Sequence, residues 1–388
     1  MHHILKVKEL ITPLESIQGA VIAWDDKGRI TYAGTGVNAP DINSEVMDLG
    51  SMTAIPGLID IHVHGGWGVE FGSGDLDAGL QSYSAKVVTS GVTGFLLTIS
   101  GPSHGAIVEM IASYVPLLNS TFPGAAPLGF HLEGPFLNPE KHGAFNPDWL
   151  HNPSVEEVRD YIEAAQGWLR QVSLAPELED AFETAAYLRE RSICASLAHT
   201  SADYETAAKA LAGDFTHVTH TFNAQSPFHH REPGAVGAIL ASDNTSAELI
   251  ADIVHVHPGA MKVLVRCLGS ERVVLITDAM PGAGLADGGY TLIGQQVTVE
   301  EGKAYLKDGT IAGSVATLDA CVRNMVKNVG VPPLEAVRMA SYNPARVIGV
   351  EDTAGKIEVG RPADITLVDD DLRVKAVYRR GKLRFQAS

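Results

Sequence analysis

The chain is poor in cysteine, in positive charge and in long apolar runs. Its three cysteines, Cys194, Cys267 and Cys321, are widely spaced and form no CxxC pair. They indicate neither a disulfide framework nor a thiolate zinc site, which fits a reducing cytoplasm. Lys and Arg number 29 against 46 Asp and Glu, a formal charge of -17 over 388 residues. Phosphate backbones and anionic membranes demand basic patches, so this balance argues against nucleic-acid and membrane-surface roles. A phosphorylated small molecule needs only a few local cationic groups and stays open. No apolar run approaches the ~18 residues of a membrane span, and the opening MHHILKVKELITP lacks the basic-then-apolar order of a signal peptide. Repeats and low-complexity segments are absent as well. These gaps predict a soluble, cytoplasmic protein.

A hydrophobic fraction of 45% supports a large core, and an α/β barrel can take ~250 residues as one unit. Short β-like pieces open the chain: ILKVKEL, then GAVIAWDDKGRITYAG with DDKG as a hairpin signal, then NSEVMDLG. The closing stretch GKIEVGRPADITLVDDDLRVKAVYRRGKLRF has the same alternation, so both ends are expected to meet in one small β domain. The middle alternates strand-like and helix-like segments, which predicts βα units around a parallel sheet. The candidate strands are TAIPGLIDIHVH, VTGFLLTI, PLGFHLE, QVSLAP, ICASLAH, THVTH, AELIAD and RVVLITD. Eight strands close a (β/α)8 barrel. The expected architecture is therefore a TIM-like (β/α)8 barrel over residues 51–352. A small β-sandwich domain would be formed by residues 1–50 and 353–388.

Six side chains of metal-ligand type fall where barrel strands should end. They are His62 and His64 in PGLIDIHVHGG, Glu133 in LGFHLEGPF, His199 in ICASLAHT, His220 in THVTHTFNA and Asp278 in VVLITDAM. Imidazoles and carboxylates gathered at that rim form a metal site able to activate water. An HxH on a strand turns both rings to one face. The chain has 15 histidines, so roughly one HxH is expected by chance, and His255 with His257 supplies a second. The apolar strand before His62 and the glycines after His64 favour ligands over structural histidines. Glu133 finishes an apolar strand, where a carboxylate is costly without a cation nearby; the alternatives are a helix N-terminal carboxylate or a rim ion pair. His131 shares its face and is a weaker candidate. His199 and His220 close consecutive strands and make three ligands with Glu133, the open arrangement of catalytic zinc. His217 is read as structural, on the opposite face. Asp278 is read as general base and then acid, against the alternative of an N-cap.

PGLIDIHVHG, then HLEGPFLNPEKHGAFNP, LAHTSAD, THTFNAQSPFHHREPGAVGAIL, ADIVHVHP, ITDAMPGAG and GTIAGS resemble, in this order across residues 51–350, the amidohydrolase superfamily. Within it they are similar to the N-acetylglucosamine-6-phosphate deacetylases. By position, the resemblance implies Glu133, His199 and His220 as ligands of a principal divalent metal, Zn2+ foremost or Fe2+, and Asp278 as the catalytic aspartate. It implies His62 and His64 as a pair that some members lack and others use for a further ion, leaving one or two ions per subunit. Asn223, Ala224, Arg231 and His255 match positions that hold the sugar phosphate. Ala144 and His142 lie beside the sugar site, and Ile311, Ala312 and Gly313 match a loop that closes over it. Arginine and imidazole suit phosphate, Arg through its bidentate fork; the alternative for Arg231 is a surface pair with Glu232. Gln225, where members often have Met, and Phe145, where many have His, depart from the pattern near the sugar site.

The implied reaction removes the acetyl group from N-acetyl-D-glucosamine 6-phosphate, in a homodimer. The nearest rival is the same chemistry on N-acetylgalactosamine 6-phosphate or another N-acyl amino compound. A cyclic-amide hydrolase of the dihydroorotase kind would bridge its metals with a lysine, and QVSLAPE offers none. A non-catalytic sugar-phosphate-binding relative is the third reading, against which Asp278 and every ligand position tell.

Overall fold

A computed structural model describes residues 3–38 and 46–387. The chain opens with strands β1 (His3–Ile11), β2 (Ser16–Trp24), β3 (Ile30–Thr35) and β4 (Val46–Pro56). Period-two patterning explains them: in β1, Leu5 and Val7 are buried while Lys6 and Lys8 are exposed. The DDKG segment makes the β2–β3 turn, with Gly28 N donating to Asp25 O at 2.8 Å. Of the expected NSEVMDLG piece, residues 43–45 lie outside the described residues and the remainder begins β4.

The barrel follows. Strand β5 (Leu58–Asp60) leads through a short hairpin, β6 (Gly65–Gly66) and β7 (Val69–Glu70), to helix α1 (Leu76–Val87). Six further βα units succeed it: β8 (Val92–Ile99) and α2 (His104–Leu118), β9 (Ala126–Glu133) and α3 (Val155–Ala165), β10 (Leu169–Leu174) and α4 (Ala181–Arg189), β11 (Cys194–Leu197) and α5 (Tyr204–Ala212), β12 (His217–Val218) and α6 (Gly234–Leu240), and β13 (Ser246–Ile250) and α7 (Pro258–Leu268). Strand β14 (Val273–Ile276) is separated from α8 (Leu318–Asn324) by an antiparallel insertion of β15 (Gly288–Leu292), β16 (Gln295–Glu300) and β17 (Lys303–Tyr305). Helices α9 (Pro333–Met339) and α10 (Tyr342–Val347) precede the closing strands β18 (Ile365–Val368), β19 (Val374–Arg379) and β20 (Lys382–Gln386). Asp75, Ser103, Ser154 and Asp203 cap four of the barrel helices through side-chain oxygens, each satisfying an N–H that has no partner inside the helix.

Strands β5 and β8 through β14 pair in parallel, each with its successor. The two ends of this sheet meet just above the strands, where Asp278 N donates to His62 O and His64 N to Ala279 O, both at 2.9 Å. All eight segments expected from the sequence overlap one of these strands. TAIPGLIDIHVH is divided, however: residues 53–56 complete β4 and only 58–60 enter the barrel. The divider is Gly57, whose backbone passes so close to Thr93 that a Cβ would collide with that side chain. The small sheet thus runs past the expected boundary at residue 50.

Helices pack on the outside of the barrel through one large apolar cluster. Inside, Ile59, Leu96, Ile250, Val274 and Ile276 fill the lower layer against Ala345 and Ile348 near α10. The layer above is polar: His62, His131, Gln171, Ser173, His217 and Glu248 are all fully buried. The small domain joins both chain ends in one sheet ordered β20-β19-β18-β4-β1-β2-β3. Trp24 on β2 and Tyr378 on β19 are four strand positions apart, yet their ring centroids lie 5.4 Å from each other. A flat sheet would separate them by ~19 Å at ~4.8 Å per strand, so the sheet folds over on itself and encloses its own core as a sandwich does. Among the described residues, no helix is long and apolar enough to cross a membrane.

Candidate metal and active site

Glu133 is the last residue of β9, whereas His62, His199, His220 and Asp278 each sit two residues beyond their strands. The chain leaves the sheet sharply there. His199, His220 and Asp278 have φ of +40°, +26° and +50°, a left-handed region that costs non-glycine residues about 1–3 kcal/mol each and persists where surrounding structure imposes it. The strain turns all three side chains toward the barrel axis, onto Glu133.

Two groups result, sharing Glu133. Its Oε1 lies 3.2 Å from His199 Nε2 and 2.9 Å from His220 Nε2. Its Oε2 lies 3.2 Å from His62 Nε2 and 3.0 Å from His64 Nε2. Asp278 Oδ1 completes the second group, 3.4 and 3.3 Å from the same two nitrogens. The ring nitrogens facing away fix two tautomers: His199 Nδ1 donates to Lys141 O at 2.6 Å and His62 Nδ1 to Glu248 Oε2 at 2.9 Å. Their Nε2 atoms are left facing carboxylate oxygens, where the neutral ring would offer a lone pair to a metal. His62 Nε2 is buried without a hydrogen bond, and the Nε2 atoms of His199 and His220 face each other at 3.0 Å.

Electrostatics give the same picture. Burial pushes the Glu133 carboxyl up, but His62 and hydrogen bonds from His199 and His220 hold it well below the usual range. Asp278 is also pushed up by burial and pulled lower by His62 and His64. Both carboxylates are ionised. In return His64, despite burial, is raised to about 9 by its bonds to Asp278 and Glu133, because this concentration of buried negative charge calls for positive charge nearby. A divalent cation meets that demand better than protonated imidazoles, and a mixed imidazole–carboxylate donor set suits Zn2+ or Fe2+. The residues present therefore fit a metal, with Glu133 able to offer one oxygen to each of two ions.

His64, Glu133, His199, His220 and Asp278 form the floor of a cavity of about 410 Å³, and His62 is buried beneath it. Its walls bring together Asn223, Ala224, His255, His142, Ala144, Ile311 and Gly313, along with Phe145. His255 Nδ1 is bonded to Asp252 Oδ2 at 2.7 Å; burial opposes protonation, but this carboxylate outweighs it and raises the imidazole. His257, of the second HxH, only caps α7, accepting from Gly259 N at 3.0 Å.

Four residues lie elsewhere in the chain than expected. Ala312 is fully buried and does not line the cavity; it packs behind the loop with Met280 and Leu292. Arg231 is exposed and outside the cavity, its Nη1 2.8 Å from His230 Nε2, and no ion pair joins it to Glu232. Reciprocal backbone bonds between His229 and Glu232 close the turn that carries Arg231 outward. Gln225 does not face the sugar site either. Its amide binds Thr219 O and Phe222 N, pinning the loop to itself. His131 lies one layer down, between Thr98 and Ser173, and burial with the nearby His62 lowers it to about 3.

The sequence reading missed two groups. Lys141 lines the cavity as its sole lysine or arginine; the KH of PEKHG was a visible signal. Glu248 lies beneath the floor, bonded to His62, and a lone glutamate inside AELIAD carried no signal of its own.

Residues 53–384 match the amidohydrolase family. The chain is 35% identical to the N-acetylglucosamine-6-phosphate deacetylase of Bacillus subtilis (strain 168), over 98% of this chain and 97% of that one. It is also 35% identical to the N-acetylgalactosamine-6-phosphate deacetylase of Escherichia coli O157:H7, over 99% of each. Among solved structures, a variant of the Mycobacterium smegmatis N-acetyl-D-glucosamine-6-phosphate deacetylase, in complex with N-acetyl-D-glucosamine 6-phosphate, superposes with a TM-score of 0.91. The two are 31% identical, and the match covers 99% of this chain and 100% of that one.

Proposed function

The chain belongs to the amidohydrolase family, and on that premise we propose that it hydrolyses N-acetyl-D-glucosamine 6-phosphate to D-glucosamine 6-phosphate and acetate. The observation that carries this reading is one cavity whose floor joins Asp278 to the Glu133, His199 and His220 group and whose wall holds His255 and Asn223. Glu133, His199 and His220 would hold one divalent ion, Zn2+ foremost or Fe2+, and His62 and His64 with Glu133 and Asp278 a second. Such an ion supplies Lewis acidity, which brings the pKa of water to ~7 and polarises a carbonyl.

The chain's own groups do the rest. Asp278, ionised at the floor, accepts a proton from the attacking water and returns it to the departing amine as the C–N bond breaks. His255, oriented by Asp252, offers Nε2–H to the phosphate, and Asn223 with the backbone at Ala224 and Gly313 brackets the sugar. Lys141 is a further cation on this wall. These contacts contribute by positioning, holding the acetamide over the floor.

The epimeric substrate, N-acetylgalactosamine 6-phosphate, is a second reading, favoured by the equal identity to the Escherichia coli relative. The proposal also includes the two-part division, a hydrolase barrel and one β domain made from both chain ends, with the first boundary at Gly57, just past the end of β4, and not at residue 50. It includes a cytoplasmic location and a homodimer as well. An exposed apolar depression around Phe222, Pro227, Phe228 and Val263, with Phe228 58% exposed, supports the last of these. Acetate release measured side by side on the two N-acetylhexosamine 6-phosphates, with metal analysis of the same sample, tests the reading. The gluco epimer is expected to give the higher kcat/KM, and activity in fully metal-free protein would falsify the metal-dependent chemistry.

A further inference from the structure

Glu248, on β13, is a fully buried carboxylate with no part in the chemistry above. Four groups converge on it. Its Oε2 lies 2.9 Å from His62 Nδ1 and accepts from the backbone N of His220 at 3.0 Å. Its Oε1 accepts from Gln171 Nε2 at 2.8 Å and lies 3.2 Å from His217 Nε2. Its own carbonyl accepts from Thr221 N at 2.9 Å, so β13 grips the turn on which His220 sits. A carboxylate has acceptor sites for all four groups and no proton to offer, which matches an environment made of donors.

We propose that Glu248 is the positioning residue that makes His62 a metal ligand and so sets whether the barrel holds a second ion; this rests on the two-ion reading of the site. By accepting the hydrogen bond from Nδ1–H, Glu248 keeps the proton of the neutral ring on Nδ1 and leaves Nε2 of His62 free for a metal, facing Glu133 Oε2 and Asp278 Oδ1. The negative charge also makes the imidazole a stronger donor, as outer partners of metal-bound histidines do. Its hold on the other group is different in kind. It reaches His220 only through the main-chain N–H, a bond that any oxygen at the same place satisfies. Removal of the charge should therefore act on one group and spare the other.

Glu248→Gln separates the two effects. The amide oxygen can still accept from His220 N and His62 Nδ1, while its NH2 faces Gln171 and His217, which adapt by an amide flip and a tautomer change. Full-length protein stripped by a chelator is titrated with Zn2+ alone, by calorimetry and elemental analysis. Wild type is expected to take two ions. In the variant, one ion keeps its affinity and the other weakens by about 10–100-fold, the range for loss of an outer partner. In a His62→Gln background the same change should have no further effect. Glu248→Asp, which keeps the charge, should restore part of the affinity and decides the matter if Glu248→Gln fails to fold. Equal weakening of both ions, or of neither, overturns the proposal. A single ion in wild type overturns the two-ion reading and this proposal with it, and leaves the hydrolase reading standing if acetate is still released.

Discussion

Asp278 holds its position through an unusual backbone, with φ at +50°. Asparagine is among the few residues that tolerate this region, so Asp278→Asn keeps the backbone and removes only the carboxylate. The ion of the Glu133, His199 and His220 group should stay near its wild-type content while kcat falls by ~10²–10⁴, the usual contribution of a positioned general base. Unchanged turnover would remove Asp278 from the proton path. At this scale the sequence was informative where chemistry contradicts its neighbours. A histidine or carboxylate closing an apolar strand stands out, and His62, His64, Glu133, His199, His220 and Asp278 do converge. Arg231 was chosen for its charge, which suits phosphate in any location; its outward direction within one chain is set by a turn closed by two backbone bonds. Glu248 was invisible for the opposite reason. A glutamate within a strand reads as solvent-facing until the barrel brings His62 and His217 around it.

Elements of structure deliver these residues, and the loop after β9 shows how closely. Lys141 O accepts a hydrogen bond from His199 Nδ1, and two residues on, Gly143 has φ of +58°. A Cβ there would meet His199 Cε1 at 3.1 Å. Gly143→Ala is thus strained in its backbone and presses on a candidate ligand. It should cost about 1 kcal/mol or more of stability and weaken the ion at the Glu133, His199 and His220 group by roughly tenfold, the lower end for a disturbed ligand environment. Thermal unfolding and Zn2+ titration of the same variant check both parts, and a ring that simply shifts aside without loss of affinity would count against a tight fit. The eight strands and their helices were legible because apolar runs alternate with helical periodicity. The β15–β17 insertion was not, although its IGQQ and EEGK turns separate alternating runs. Once an eight-strand barrel is in view, extra hairpins after the last strand have no place in the expected pattern. Yet this insertion walls the cavity with Leu292 and Ile293. It is tied to the barrel through Glu70, which accepts from Thr291 Oγ1 and from Ile293 N.

For the molecule as a whole, the metal groups are part of its stability. Glu133, Asp278, Glu248 and Asp60 are all buried in the barrel, and burial raises Asp60 to about 7 even with Thr277 bonded to it. Stripping the ions leaves the carboxylates of the floor short of positive charge. An ion present at 100 times its Kd contributes ~2.7 kcal/mol, and each kcal/mol is worth about 1 °C in a chain of 388 residues. The melting temperature should therefore fall by about 3 °C per ion on chelation and return with Zn2+ or Fe2+. A melting curve indifferent to chelator would mean that the floor balances its own charge.

The folded-over sheet of the small domain carries a consequence for synthesis. Strand β4 reaches the ribosome exit early, but its neighbour on one side, β18, is made only after the whole barrel has been translated. Until then the edge of β4 and the inner faces of β1 and β2, with Leu5, Val7, Ile22 and Trp24, have no cover from β18 and β19. The nascent chain carries an open apolar seam until β18 and β19 are made.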